Sequence, residues 1–358
     1  MSASTIVSSA PRIRLDQRGR AELEFLSSLR GGLAPLRTAI KAKLEASGVL
    51  DAPFTDIETL RDGTDVVLAD SVEQRVLGTV LRWSRDQSTP RSVGAFERSR
   101  DRLEPLATGG AELVADALGD TVPRYWDYEF HGTTGGWDGH EHMGFIHHEL
   151  VYANIIMAAY GGDIYAIRRL VAEAAPADDY ARILDVGCGT GQYTLKLAEA
   201  YPNAAITALD ISKSAVSYAL RRGQDAGITL TGVRGAAEDT GLADESFDLV
   251  TSFIVLHEVP PHITKKILAE AFRLLAPGGD IHFSDVTPYR ERSTYQAWAD
   301  DWDAQNGSEP WWRTAASMDL SSIATELGFV DVVERGLGAG AYPWVLSARK
   351  PGRTESNR

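Results

Sequence analysis

The sequence predicts an α/β protein with helices on both faces of its sheet and an all-helical segment before it. Three observations carry that expectation. Between about residues 180 and 286, short apolar runs that end in acidic residues alternate with stretches of helical spacing. The first run, Ile183-Leu184-Asp185-Val186, opens into Gly187-Cys188-Gly189-Thr190-Gly191, a glycine at every second position. Upstream, aliphatic residues recur three and four apart, the spacing of amphipathic helices.

Taken in order, residues 1–18 are rich in Ser, Ala and Arg without periodicity and read as a mobile tail. Residues 19–125 read as a helical domain: Leu26, Leu29 and Leu33 share one face, Leu36, Ile40 and Leu44 follow the Pro35 break, and Val72, Val76 and Val80 run beside Leu77 and Leu81. Such faces need a partner, either one another or a second copy in a homodimer. Residues 126–178 read as a cap and connecting helices. Five of the eight histidines fall between His131 and His148, among Trp126, Trp137 and several glycines. Ile146, Leu150, Ala153 and Met157 then share one face at ordinary core spacing. Residues 179–352 form the sheet domain. Helical spacing from Gln192 stops at Pro202, residues 205–209 form a strand ending at Asp210, and further strands are expected at 228–233, 247–253 and 280–283. A helix over 264–275 ends at Pro277-Gly278-Gly279. Residues 287–320 insert an aromatic wall (Tyr295, Trp298, Trp302, Trp311, Trp312), and strands at 330–333 and 344–348 close as a hairpin through Gly336, Gly338 and Gly340. Residues 353–358 are a tail.

The glycine turn brings backbone close to a ligand that side chains would exclude. The dinucleotide fingerprint G-x-G-x-x-G does not match, since Gln192 stands at the third glycine position. Asp185 would repel a phosphate but suits an ammonium or a hydroxyl, as on an amino acid joined to a nucleoside. Asp210, about 20 positions on, suits a ribose diol. The loop D-x-G-x-G-x-G resembles motif I of class I S-adenosylmethionine-dependent methyltransferases, and the resemblance runs from about residue 180 to 286. It implies a Rossmann-like seven-stranded sheet, S-adenosyl-L-methionine as cofactor, and a cofactor site built from Asp185, Gly187, Gly189, Gly191, Asp210, Ile211, Glu238 and Ser252. Ile211 would lie beside the adenine. Ala236 stands where the family has its acidic adenine contact, so Glu238 or Asp239 takes that role by substitution. The segment Phe247-Asp248-Leu249-Val250, followed by Leu256-His257, is similar to the small-molecule branch, and the N-P-P-Y sequence of DNA-base amino-methyltransferases is absent.

Composition narrows the acceptor. A formal charge of −14 gives no electrostatic footprint for nucleic acid, and no run approaches the length of a membrane span. The first 20 residues lack a signal-peptide core, so a cytoplasmic location is expected. The single cysteine, Cys188, has no disulfide partner within the chain. The resulting expectation is methyl transfer to a small organic acceptor, in specialised metabolism, with no membrane or nucleic-acid partner. His257, at the end of the fourth strand, is the general-base candidate, because imidazole titrates near neutral pH; its alternative is a structural role at the following helix. His140, His142 and Asp285 are the reserves. No metal is assigned, because no Cys or His-x-x-x-His zinc spacing is present. Three alternatives stay open: metal-assisted C-methylation of an α-keto acid, with His140-Glu141-His142 and His257-Glu258 near the metal and Arg290, Arg292 or Arg313 on the carboxylate; methylation of a protein docked on the N-terminal helices; and binding of the cofactor without methyl transfer, for regulation or a pericyclic or elimination step.

Overall fold

The computed structural model describes residues 13–119, 121–133, 136–157 and 163–353. Most of the tail expected over 1–18, and residues 354–358 of the C-terminal tail, lie outside the described residues; Gln17 already begins a helix. Five helices come first: α1 (Gln17–Gly31), α2 (Ala34–Ser47), α3 (Ile57–Leu68), α4 (Val72–Glu97) and α5 (Arg100–Ala107). Their starts are written in the sequence. Asp16, Asp56 and Ser71 each accept a backbone N–H of the first turn, satisfying donors that the helix leaves open.

These helices do not close a core of their own. Ile40, Leu44, Leu60 and Leu77 pack with Val286, Trp298 and Ala316, while Leu23, Leu26 and Phe96 pack with Phe145, Leu150 and Tyr218. The aliphatic faces are therefore used against the rest of the chain, apart from Val72 and Val76, which are exposed.

After the short strand β1 (Ala115–Asp116), an α-turn α6 (Met143–Phe145) runs into a π-helix, Ile146–Ile156. The wider turn changes the buried face expected for this stretch. Ile146, Leu150, Val151 and Ile155 are buried and Ala153 is exposed, since a π-helix pairs i with i+5 and delays the return of each face.

The remaining elements are α7 (Ile164–Glu173), β2 (Arg182–Val186), α8 (Thr194–Ala200), β3 (Ala205–Asp210), α9 (Lys213–Asp225), β4 (Leu230–Arg234), β5 (Phe247–Phe253), α10 (Pro261–Leu274), β6 (Leu275–Asp285), α11 (Thr294–Gly307), α12 (Trp312–Ser317), α13 (Leu320–Glu326), β7 (Val330–Gly336) and β8 (Trp344–Arg349). They form one sheet in the order β1-β4-β3-β2-β5-β6-β8-β7, parallel except where β8 runs antiparallel to β6 and β7. The sheet has eight strands rather than seven. The addition is β1, whose two residues pair with Val233 and Arg234 and are too few to leave a periodic signal.

Chain order reverses between β2 and β5, which are neighbours in the sheet. Val186 is in register with Leu209 and with Ser252, so the carboxyl ends of β2, β3 and β5 finish side by side. In an open α/β sheet, ligands bind in the crevice outside the strand ends at such a point.

Candidate active site

A cavity of about 490 Å³ lies at this crevice. Its floor is Gly187 to Thr190 of the glycine turn, Asp210, Ile211 and the loop after β5; its roof comes from α1, α2, α4, the 125–137 segment, the π-helix and the end of α11. Gly191, expected at the cofactor, instead lies against α9, where a Cβ on it would sit 3.0 Å from the Cβ of Ala219. Gly187 and Gly189 have φ of +68° and +52°, a region that side chains rarely adopt. A Cβ on Gly187 would lie 2.2 Å from Val255 Cγ2, so the turn and the β5 loop touch only because this residue has no side chain. At Gly189 a Cβ would meet nothing within 4 Å, and the backbone there faces open space.

Asp210 caps the turn from below. Its Oδ2 accepts from Gly189 N at 2.7 Å and its Oδ1 from Ser212 N at 2.8 Å. Burial pushes its pKa up to about 7, with the two backbone donors opposing and Asp138 and Glu258 adding repulsion. It lines the cavity with no cationic partner among the described residues. Asp185 and Ser252, expected at the cofactor, are buried and stand behind the wall rather than in it. The Asp185 Oδ2 accepts the Thr194 hydroxyl at 2.6 Å, and burial raises its pKa to about 7. Glu238 is also outside the wall: both its oxygens accept from the Tyr125 hydroxyl, at 2.9 and 2.8 Å, and it is Tyr125 and Ala237 that face the cavity.

The β5 loop supplies the other half. Ile254 holds φ +55°, a strained conformation for a β-branched residue, at a cost of order 1–3 kcal/mol. It is pinned there by its N–H donating to Ser284 O at 2.7 Å. Beyond it, a single 3-10 turn, Leu256–Glu258, presents His257 to the cavity. His257 Nδ1 lies 2.8 Å from Asp285 Oδ1 at the end of β6. Asp285 is itself fixed, accepting from Leu256 N at 2.7 Å and Val286 N at 2.8 Å. The Trp312 ring meets the imidazole edge on at 5.0 Å. Burial disfavours the charged ring, but the Asp285 carboxylate outweighs it, helped by Glu309 and Glu258, and the His257 pKa rises to about 9.

His131 bridges the cavity wall beside it. Its Nδ1 pairs with Glu309 at 2.5 Å and its Nε2 with Glu258 at 3.1 Å. Burial works against its charge, yet the two carboxylates hold its pKa well above the ordinary imidazole value. His147, edge on to Trp137 at 4.2 Å, has no such partner among the described residues, and burial pushes its pKa down to about 3.

His140 and His142 are not brought to the site. Their Nε2 atoms pair with Glu97 at 2.7 Å and Glu104 at 3.0 Å, and both rings pack on Phe96. Glu97 at the end of α4 and Glu104 on α5 hold both rings, largely buried, away from the cavity, and neither lines it. Glu104, Glu141 and His142 do bring ligand atoms within 4.8 Å of one another. Arg100 already donates to both of those carboxylates, at 2.9 and 2.8 Å. Arg290, Arg292 and Arg313 are likewise engaged elsewhere, with Glu334, Asp300 and Asp301, and none lines the cavity. The arginines that do line it are Arg30, Arg37, Arg85 and Arg168, none of which carries a motif signal in the sequence. Of the aromatic insertion, Trp312 reaches the cavity, while Trp298 is buried in the core shared with the N-terminal helices.

Residues 183–279 match the model of a methyltransferase domain family. An uncharacterised methyltransferase of Synechocystis is 32% identical over 170 residues, covering 47% of this chain and 75% of that protein. A phthiotriol/phenolphthiotriol dimycocerosates methyltransferase of Mycobacterium ulcerans is 34% identical over 116 residues, 32% of this chain and 41% of its own length. A fatty-acid O-methyltransferase of Mycolicibacterium smegmatis is 34% identical over 125 residues, 35% and 44% respectively. The chain thus spans less than half the length of either mycobacterial relative. No helix among the described residues is long and apolar enough to cross a membrane. The glycine turn at the switch point, the family match over β2 to β6, and the Synechocystis relative aligned over three quarters of its length together place this chain in the class I S-adenosylmethionine-dependent methyltransferases.

Proposed function

We propose that this protein methylates an oxygen of a small or lipid-like acceptor enclosed in the cavity, with His257 as general base. The observation that carries the proposal is the buried His257–Asp285 pair opening onto the same cavity as the glycine turn. Two features support a fit to the cofactor. The Asp210 oxygens, each already fixed by one backbone donor, keep lone pairs for the two hydroxyls of a ribose. The empty side of Gly189 leaves backbone open to a bulky, flat group.

When bound, the cofactor supplies an electrophilic methyl on a cationic sulfur, whose charge opposes the proton on a nearby imidazolium. The chain's own part is positioning and proton removal. Asp285 holds Nδ1–H, which fixes the tautomer; the ring is an imidazolium below its raised pKa, and once Nε2 has given up its proton it is the nitrogen that takes one from an acceptor hydroxyl. The roof from α1, α2, α4 and α11 keeps water from the methyl and confines the acceptor for in-line attack. Those walls favour a small molecule over a docked protein. The keto-acid reading has lost its arginines, His140 and His142, which are ion-paired away from the cavity. The fatty-acid O-methyltransferase of Mycolicibacterium smegmatis is named for an oxygen acceptor, which supports this reading.

The test is transfer of labelled methyl from S-adenosylmethionine into a bacterial extract supplemented with fatty acids and long-chain alcohols, then split into lipid, small-molecule and macromolecular fractions. Label in either of the first two, lost with His257→Gln, supports the proposal. Label confined to macromolecules overturns it.

A further inference from the structure

Three arginines reach the roof of the cavity from the N-terminal helices, and two of them are already answered. Arg37 on α2 donates to both oxygens of Asp303, at 3.0 and 2.9 Å. Arg85 on α4 pairs with Asp86 at 2.7 Å and donates to Asn306 O at 2.8 Å. Arg30, half-buried in the last turn of α1, pairs with no acid among the described residues. Its Nε donates to Ser84 Oγ at 3.3 Å, and Ser84 in turn donates to Leu81 O at 3.0 Å, which fixes the guanidinium from behind. Both terminal nitrogens are left without an acceptor among the described residues. Burial lowers the Arg30 pKa with no carboxylate opposing it. Apolar side chains, among them Leu81, Phe130, Val151 and Ile155, line the same cavity.

A guanidinium drawn out of water without a counter-ion costs free energy that an anionic ligand offsets. Its planar fork matches a carboxylate, which accepts through both oxygens. The His257 end of the cavity carries the opposite sign. Glu258 and Glu309 line it there, close enough to act on the His257 charge, and one imidazole, His131, is shared between the two carboxylates. A carboxylate is therefore repelled from His257 and drawn to Arg30, so an acid that also bears a hydroxyl enters hydroxyl first. Resting on the general-base reading above, we infer that Arg30 is the carboxylate subsite of the acceptor, and that the acceptor is a hydroxy acid with an apolar body, methylated on its hydroxyl and not on its carboxyl. The hydroxyl oxygen bonds to the methyl carbon as the carbon–sulfur bond breaks, the sulfur keeps that electron pair as S-adenosylhomocysteine, and the hydroxyl proton passes to the deprotonated Nε2 of His257. The product is a methyl ether that retains its carboxylate.

The test is labelled methyl transfer by the full chain from S-adenosylmethionine to a panel of ω-hydroxy fatty acids and hydroxyphenylalkanoic acids, each beside its primary amide. Mild alkali then separates esters from ethers. At least one acid should give an alkali-stable methyl ether with kcat/KM roughly 10- to 100-fold above that of its amide, the range for a charge-assisted contact, and the difference should lie mainly in KM. Arg30→Met should bring that ratio to within about twofold, and Arg30→Lys should restore part of it. The subsite is overturned by equal use of acid and amide, by label only in alkali-labile esters, by a panel in which no acid is methylated, or by an Arg30→Met variant that slows acid and amide alike. If Arg30→Met does not fold, the wild-type ratio and its fall in Ser84→Ala, which releases Nε, still decide. Ether formation undiminished in His257→Gln would refute the base and leave the Arg30 ratio standing, and failure of wild type to bind S-adenosylhomocysteine would refute the cofactor assignment, so the three readings fail separately.

Discussion

Replacing Asp285 by Asn removes the charge behind His257 while keeping its shape. The His257 pKa of about 9 stands some 2.5 units above the ordinary 6.5, although burial alone pushes a histidine down. At 1.36 kcal/mol per unit, the carboxylates contribute roughly 3 kcal/mol to holding the proton, net of desolvation. Asp285 is the largest of these contributors, with Glu309 and Glu258 behind it, and the indole of Trp312 adds no charge. Without Asp285 the desolvation remains, so the imidazole should titrate near or below 6.5. The folded pKa of wild type is raised, so the pair stabilises the fold fully below pH 6.5 and loses that contribution as pH rises through 9. The assay is NMR titration of ¹³C-labelled histidines in the ligand-free protein, with His257→Gln assigning the resonance. Wild type should show a midpoint near 9 and Asp285→Asn one at least two units lower. A wild-type midpoint near 6.5, or an unmoved midpoint in the variant, would refute the electrostatic reading of the pair. With an acceptor in hand, Asp285→Asn should also lower turnover by about 10²- to 10⁴-fold, the usual range for a mispositioned base.

Asp210→Ala should weaken S-adenosylhomocysteine binding by at least about tenfold in calorimetry, because it removes acceptors for two ribose hydroxyls, while the circular dichroism spectrum stays unchanged. Gly187→Ala forces a Cβ to within 2.2 Å of Val255 Cγ2 at φ +68°, and should lower unfolding free energy in urea by roughly 1–3 kcal/mol; an unchanged midpoint would mean that the β5 loop moves aside freely. His131→Gln removes the imidazolium between Glu258 and Glu309. Since the His131 pKa is raised, the melting-temperature deficit of the variant should be largest below pH 6.5 and shrink as pH climbs through the raised value; a deficit that does not change with pH would deny the charge any part.

How much of this was legible in the sequence depends on whether a residue acts through its neighbours in the chain or across the fold. The β2 turn and Asp210 were readable because their spacing is local: strand, glycine, helix and the next strand's last residue lie within one βαβ unit. The place of His257 on the cavity wall was legible for the same reason, as the first imidazole after a buried strand. His140 and His142 shared a promising composition with His131 and His147, but composition does not say which way a ring faces, and Glu97 and Glu104, some forty residues away in sequence, decided it. The π-helix defeated periodicity outright, since a 3.6-residue rule selects Ala153 where the wider turn exposes it. The arginines are the clearest case. Arg290, Arg292 and Arg313 lie near the expected pocket in sequence and are neutralised by acids on nearby elements, whereas Arg168 sits on an unremarkable amphipathic helix and lines the cavity. Which cations face a cavity is a property of three-dimensional packing: the acids that take Arg290, Arg292 and Arg313 away from it are brought to them by the fold, and no spacing along the chain announces those pairings.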